Sequence, residues 1–137
     1  MKAVIQRVTY SNLSIDNKIY SQITRGLVVL IGITHYDDDN DIQWLAKKIV
    51  NLRIFNDDKN IMNKSLIDVS GELMIVSQFT LYAQTKKGNR PSYIDAENGD
   101  IAEKIYKSFI LEIENKYNLK PKTGKFGSDM KVELEND

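Results

Sequence analysis

Side chains able to do acid–base or nucleophilic chemistry are scarce in this chain of 137 residues. It has no cysteine and one histidine, His35. A thiolate nucleophile and a cysteine-held metal are therefore excluded, and any Ser-His-Asp relay or histidine acid would need that one ring. His35 follows an apolar run and precedes acidic residues, where a solvent-facing or capping histidine is expected rather than a catalyst. The run Asp37-Asp38-Asp39-Asn40-Asp41 lacks the glycine and distal glutamate of a calcium loop, so no metal site is expected. What remains is Ser77-Gln78-Phe79-Thr80-Leu81, where an apolar strand turns abruptly polar. Sites tend to form at such strand mouths. Thr80 carries the one obvious hydroxyl that could attack, but no Cys, His or carboxylate adjoins it in sequence. An unassisted threonine hydroxyl is a poor nucleophile near neutrality. Read alone, Thr80 completes a strand, Gln78 is an exposed strand-end amide, Ser77 makes a local turn bond and the Phe79 ring packs in the core.

The elements that must position this segment are legible in outline. Residues 2–15 are rich in β-branched side chains, Asp16-Asn17-Lys18 is a turn signal, and Ile19 to Thr24 alternates, which predicts a hairpin. Leu27 to Ile33 is an unbroken apolar run, as in a strand buried on both faces. Ile42, Leu45, Ile49 and Leu52 recur at helical spacing behind the acidic stretch, predicting a helix from about Asp39 to Asn51. Arg53-Ile54-Phe55 reads as a short strand, Asn56 to Asn60 as a turn, and Ser65 to Val69 as another extended piece. A strand from Glu72 to Leu81 follows, then a loop, Gln84 to Ser92, carrying Lys86, Lys87 and Arg90, the densest positive cluster in the chain. Ile101, Ile105, Phe109, Ile113 and Tyr117 predict a second helix over about Asp100–Tyr117. A last strand alternates Met130, Val132 and Leu134 with Lys131, Glu133 and Glu135. It closes on Asn136-Asp137 with no returning strand to cover its edge, so the expectation is a chain that stops short of a further strand.

Lysine plus arginine number 19 and aspartate plus glutamate 19, for zero formal net charge. That argues against broad electrostatic coating of DNA and leaves a local basic patch open. No repeat or linker is evident, so residues 1–137 read as one domain. The longest apolar stretch is far too short to cross a bilayer, and without cysteine the expected location is the cytoplasm, with no membrane partner.

Gln6-Arg7-Val8, Ser77-Gln78-Phe79-Thr80-Leu81, Arg90-Pro91-Ser92 and Thr123-Gly124-Lys125-Phe126-Gly127-Ser128-Asp129-Met130 occur in that order. Together they make the chain resemble the D-aminoacyl-tRNA deacylases of the D-Tyr-tRNA deacylase type, over its whole length. The family continues past Asn-Asp with Gly-Pro-Val-Thr and a short closing strand, and this sequence stops just before it. The resemblance implies an α+β fold, a strongly bent, largely antiparallel, barrel-like sheet with two main helices, assembled as a homodimer.

It also implies hydrolysis of the ester joining a D-amino acid to the terminal ribose of tRNA, a proofreading reaction needing no cofactor. Such an ester is already activated, so a modest site suffices: a cradle for the tetrahedral oxyanion, a positioned water and a wall against the L-enantiomer. Main-chain amides of Phe79 and Thr80 would form the cradle. Thr80 would position rather than attack, with the ribose 2′-hydroxyl helping to activate water; covalent attack by Thr80 is the alternative. Gln78 would hold the substrate amino group or order the water, and Ser77 would brace the turn. Arg7 would steady the Gly-Pro element, or else is a surface strand charge. Phe126 and Met130 match positions flanking the terminal adenine, and are otherwise core residues. Ala102 would leave room in the pocket. Lys86, Lys87 and Arg90 are candidate phosphate contacts for the acceptor stem, or a solvated loop. Glycyl-tRNA would be hydrolysed as well, since glycine has no side chain to exclude. The competing expectation is a non-catalytic, dimeric nucleic-acid-binding protein using the basic loop.

Overall fold

A computed structural model describes residues 1–137. Ten regular elements run in the order β1 (Lys2–Ile15), β2 (Lys18–Ile23), β3 (Gly26–Gly32), α1 (Asp39–Asn51), β4 (Phe55–Asn56), β5 (Met62–Lys64), β6 (Glu72–Ser77), α2 (Gly99–Tyr117), β7 (Lys122–Thr123) and β8 (Lys131–Asn136). No helix is long and apolar enough to cross a membrane.

The long strand β1 organises the sheet. Its first half pairs antiparallel with β3, from Lys2↔Gly32 to Val8↔Gly26. Its second half pairs antiparallel with both β2 and β8, and because Ser11 to Ser14 take both partners, those two strands lie on opposite edges of β1. Register shifts between Leu13 and Ser14 and between Val8 and Tyr10 are the bulges that bend so long a strand. β3 continues into a parallel pair with β6, and β6 into a parallel pair with β7. The sheet is therefore mixed, antiparallel around β1 and parallel through β6. Its path runs β2-β1-β3-β6-β7, and the ends approach closely enough for the Ser21 hydroxyl to donate to the Thr123 carbonyl at 3.0 Å. That contact nearly closes a barrel.

Alternation along β3 and β6 splits the core in two. Leu27, Val29, Ile31, Leu73 and Ile75 face the helices, joining Ile42, Ile49, Phe55, Phe109 and Ile113. Val28, Met74 and Val76 face the barrel interior with Val8, Leu13 and Ile23. Both faces of these strands are buried, as their unbroken apolar sequence requires.

α1 begins at the expected residue because Asp38 caps it, accepting the N–H groups of Asn40 and Asp41 at 2.8 and 3.1 Å while Asp41 reaches back to the Asp38 N–H. α2 is capped by Asn98 and ends on Asn118 in the left-handed region, at φ 52°. The Tyr106 hydroxyl, buried, donates to the Ile75 carbonyl at 2.7 Å and ties α2 to β6.

Four local expectations differ. The short strand begins at Phe55, not Arg53, and pairs with β5 around a turn in which Asp57 Oδ1 accepts the N–H groups of Lys59 and Ile61. Residues 65–69 are a turn rather than an extended piece. Asp68 Oδ2 accepts both the N–H and the hydroxyl of Ser65 at 2.8 Å, a local bond that outcompetes strand pairing. β6 stops at Ser77 instead of Leu81, where β3 ends and no neighbour remains to pair with. β7 was not expected, being only two residues long.

At Gly26 a Cβ would lie 1.8 Å from the Glu72 carbonyl oxygen, so the β3–β6 approach depends on a missing side chain. Gly26→Ala is expected to lower unfolding free energy by about 2–3 kcal/mol. Denaturant titration checks this, a change below ~0.5 kcal/mol contradicting it.

Candidate active site

The site is set by where two strands run out together. The last parallel rung pairs Ile31 with Ser77, and the Gln78 N–H donates to the Ile31 carbonyl at 2.7 Å. Beyond it the chain folds into a 3-10 turn, Phe79–Tyr82, whose first turn bond runs from the Leu81 N–H to the Gln78 carbonyl at 3.3 Å. The N–H groups of Phe79 and Thr80 thus stand past the sheet ladder and ahead of the turn ladder, as the first donors of any helical turn do. The turn can sit over the end of β3 because position 32 is glycine. A Cβ there would come within 3.0 Å of Leu81 Cβ and 3.1 Å of the Gln78 carbonyl oxygen. Lys2 secures the far end of the turn, donating to the Leu81 carbonyl at 3.2 Å with its ammonium 4.4 Å from the Tyr82 ring centre. Burial, with Asp37 and Asp41 adding to it, pushes the Tyr82 hydroxyl up to about 12, so it stays protonated near neutrality.

A cavity of about 320 Å³ opens beside this strand end. Ser77, Gln78 and Phe79 form one side, Ala102 from the first turns of α2 another, and Phe126 to Met130 a third, over a floor of Ile31, Ile33 and Val76. Residues far apart in sequence thus share one concavity: Ser77, Gln78, Phe79, Ala102, Phe126 and Met130. Phe126 also leans on Tyr106, their rings 5.8 Å apart.

Thr80 stands next to the cavity lining, its hydroxyl accepting from Gln78 Nε2 at 2.5 Å. Its partner is therefore a donor, not a base, and a donated hydrogen bond draws electron density from the oxygen. No group of three or more His, Cys, Asp or Glu side chains is placed to hold a metal ion. The Phe79 ring is not a core residue: it is 58% exposed and meets Tyr93 edge-on at 5.1 Å. The strand's early end explains this, since alternation into the core stops with the ladder.

Two expected groups lie apart from the cavity lining. Arg7 Nη1 donates to the Ile54 carbonyl at 2.6 Å, and Nε lies 3.0 Å from Asp137 Oδ2 as an ion pair without hydrogen-bond alignment. Lys86, Lys87 and Arg90 project from an exposed loop closed by reciprocal backbone bonds between Gln84 and Ser92 at 2.8 and 3.0 Å. None of the three forms an ion pair, and Tyr93, next after the loop, joins it to Phe79 at the cavity.

The sequence reading missed Glu97. It precedes the α2 cap, lines the cavity, and has a side chain only 12% exposed. Its Oε1 accepts the Asn98 N–H at 2.6 Å and lies 3.4 Å from His35 Nδ1. The only sequence signal was an acid just before an Asn helix cap, which reads equally well as a solvated residue.

A profile of the family described as D-Tyr-tRNA(Tyr) deacylase matches residues 4–137. The chain is 53% identical over 137 residues to the D-aminoacyl-tRNA deacylase of Flavobacterium psychrophilum and, equally, to that of Parabacteroides distasonis, each alignment covering 100% of this chain and 91% of the relative. Among solved structures it is similar to the c-Myc DNA Unwinding Element Binding Protein, with TM-score 0.93 and 38% identity over 100% of this chain and 93% of that one. A probable eukaryotic D-amino acid tRNA deacylase shares the fold, at TM-score 0.83 and 16% identity over 98% and 93% of the two chains.

The His35 pKa is raised above its ordinary 6.5, first by the Ile94 carbonyl 3.0 Å from Nε2 and then by Glu97 at Nδ1, with burial opposing. Both ring nitrogens face acceptors, so the imidazolium satisfies both and the neutral ring leaves one facing a lone pair. A raised folded-state pKa means the stabilisation is fully present below pH 6.5 and is lost as pH rises through the folded value. An NMR titration of the ring is expected to give a midpoint above 6.5, and His35→Gln to remove that part of the stability profile. A midpoint at or below the ordinary value contradicts the clamp.

Proposed function

The chain belongs to the D-Tyr-tRNA(Tyr) deacylase family, and from that premise we propose how its residues carry out hydrolysis of the ester between a D-amino acid and tRNA. Residues 1–137 act as one deacylase domain. The observation that carries the mechanism is a cavity with an apolar floor and a partly polar rim beside two main-chain donors left unladdered at the end of β6. The Phe79 and Thr80 N–H groups receive the oxyanion of the tetrahedral intermediate, each such donor contributing on the order of 10²- to 10³-fold in rate. The ester is activated by its ribose leaving group, so oxyanion stabilisation and positioning suffice without a side-chain base. Thr80 and Gln78 act as a hydrogen-bonded pair that orders the attacking water, which the ribose 2′-hydroxyl helps to activate. Thr80 makes no acyl intermediate.

Phe126 and Met130 flank the terminal adenine, supplying an aromatic face and a polarisable thioether. Ser77 braces the strand end, and Ala102 leaves room for the aminoacyl group. Lys86, Lys87 and Arg90 meet acceptor-stem phosphates, a role supported by their exposure and lack of ion pairs. Arg7 has a structural role, joining β1 to the segment around β4. Glycyl-tRNA is a further substrate, the reaction is a proofreading step in the cytoplasm, and the active form is a homodimer. Exposed Phe79, Tyr93 and Ile94 beside the cavity are the apolar surface that supports a second copy. The competing reading, a nucleic-acid-binding protein without turnover, is favoured by the name of one solved relative, a DNA element binding protein.

The chain is expected to release D-tyrosine from D-tyrosyl-tRNA and to leave L-tyrosyl-tRNA intact; tight, salt-sensitive binding with no release would establish the competing reading. Thr80→Ala should lower kcat by about tenfold or less, against a loss on the order of 10⁶-fold for a removed nucleophile, and acyl-protein trapped from the parent chain would overturn this mechanism. Replacing Lys86, Lys87 and Arg90 with alanine should raise KM at moderate salt and flatten its salt dependence by roughly 0.7–0.9 per lost phosphate contact. An unchanged slope removes the loop from the interface.

A further inference from the structure

The only tryptophan of the chain, Trp44, belongs to neither hydrophobic layer. It is 64% exposed on α1, whose Ile42, Leu45, Ala46, Ile49 and Val50 face the core. The outer stripe of that helix continues with Lys47, Lys48 and Asn51, three, four and seven residues on, so the indole and two ammonium groups share one face. Arg53 adds a guanidinium just past the helix. With Leu52, these residues line a hollow of about 360 Å³ to which no aspartate or glutamate contributes. Three formal positive charges thus gather in a chain whose net charge is zero. None of the three forms an ion pair. Arg53 spends Nε on the Asn63 carbonyl at 2.8 Å, and Lys48 Nζ lies 5.5 Å from the indole centre. Asp41, one turn earlier on the helix, is engaged with the Asp38 N–H at 3.1 Å.

An open indole flanked by free cations fits a partner that is flat and apolar at its centre and negative on both sides, as a nucleotide within a strand is. An acidic peptide answers the charges but not the ring. A lipid surface would call for further apolar side chains along the stripe, and it has none. Resting on the deacylase reading, we propose that this face of α1 is a second contact for the tRNA, away from its aminoacyl end. Trp44 stacks against an unpaired base, and Lys47, Lys48 and Arg53 meet the phosphates on either side. α1 begins shortly after β3 ends beside the cavity, and its 13 residues carry the chain about 20 Å along the helix axis. A terminal nucleotide held in the cavity does not reach that far, whereas a folded tRNA does. Stacking of this kind reads no particular base, so the contact adds affinity for the tRNA body and leaves the ester chemistry alone.

Because Trp44 is the only tryptophan, its fluorescence reports on this face alone. Saturating deacylated tRNA is expected to quench the emission, corrected for absorption by the RNA, whereas the trinucleotide CCA leaves it unchanged. Emission that does not respond to bound tRNA overturns the inference, and so does equal quenching by a DNA duplex with the same number of phosphates, which would mark a general polyanion surface. Kinetics give a second readout. Trp44→Ala should raise KM for D-tyrosyl-tRNA about fivefold or more, and Trp44→Phe by less, because a ring remains to stack. Hydrolysis of 3′-O-D-tyrosyladenosine, which lacks the tRNA body, should stay within about twofold of the parent in both variants. Equal weakening of the two substrates overturns the proposal in favour of a structural role, and a change in sedimentation overturns it in favour of a second copy on this face. Replacing Lys47 and Lys48 with glutamine should flatten the salt dependence of tRNA binding by roughly 1.5 in log–log slope. The two readings fail separately. Quenching by tRNA without hydrolysis removes the deacylase reading and keeps this contact, whereas hydrolysis without quenching removes this contact alone.

Discussion

The parallel rungs between β3 and β6 fix everything else in this molecule. Both strands are apolar on both faces, so each is committed to its neighbour and to two hydrophobic layers at once. A slip of one residue would turn every side chain to the wrong layer. The place where pairing ceases is therefore as firmly determined as the pairing itself. That place is Ile31 and Ser77, and the backbone past Ser77 has lost its partner strand but not its rigid anchorage. Main-chain donors held by a fixed ladder, yet not consumed by it, are the resource on which the proposed chemistry draws.

This arrangement suits a chain so poor in catalytic side chains. Histidine chemistry is spent on a surface clamp, with His35 between the Ile94 carbonyl and Glu97. The threonine hydroxyl is tied to a glutamine amide. An activated ester needs less help than an amide, so in the proposed mechanism positioning and amide N–H groups take the place of an acid–base relay. Selectivity then has to come from what surrounds the carbonyl, which is where α2 and the segment after β7 enter.

Much of this was legible in the residues. Both helices were bounded nearly to the residue because acidic residues mark the start of α1 and the apolar spacing of both is regular, and the caps Asp38 and Asn98 fix the chain at those points. The hairpin and the doubly buried strand came from β-branched content and an unbroken apolar run. What escaped were elements whose existence depends on partners elsewhere. β7 is two residues long and exists only because β6 is beside it. The stretch from Phe79 to Leu81 has strand composition but no strand to join, so it coils, and its phenylalanine faces outward. Glu97 escaped for a related reason: its place is set by a cavity whose other walls, Ala102 apart, lie eighteen or more residues away in the chain.

The seam of the barrel is closed differently from its other joins. Between β2 and β7 no backbone ladder forms, and the Ser21 hydroxyl on the Thr123 carbonyl supplies the bond across it. A single side-chain bond opens at far lower cost than a run of backbone rungs. Phe126 and Met130 come directly after β7, whereas Ile31, Ser77 and Ala102 stand on fully paired or helical elements. One side of the hollow is therefore held by fewer fixed bonds than the other, which in the proposed mechanism would let a bulky nucleotide end enter without loosening the frame around the reacting carbonyl.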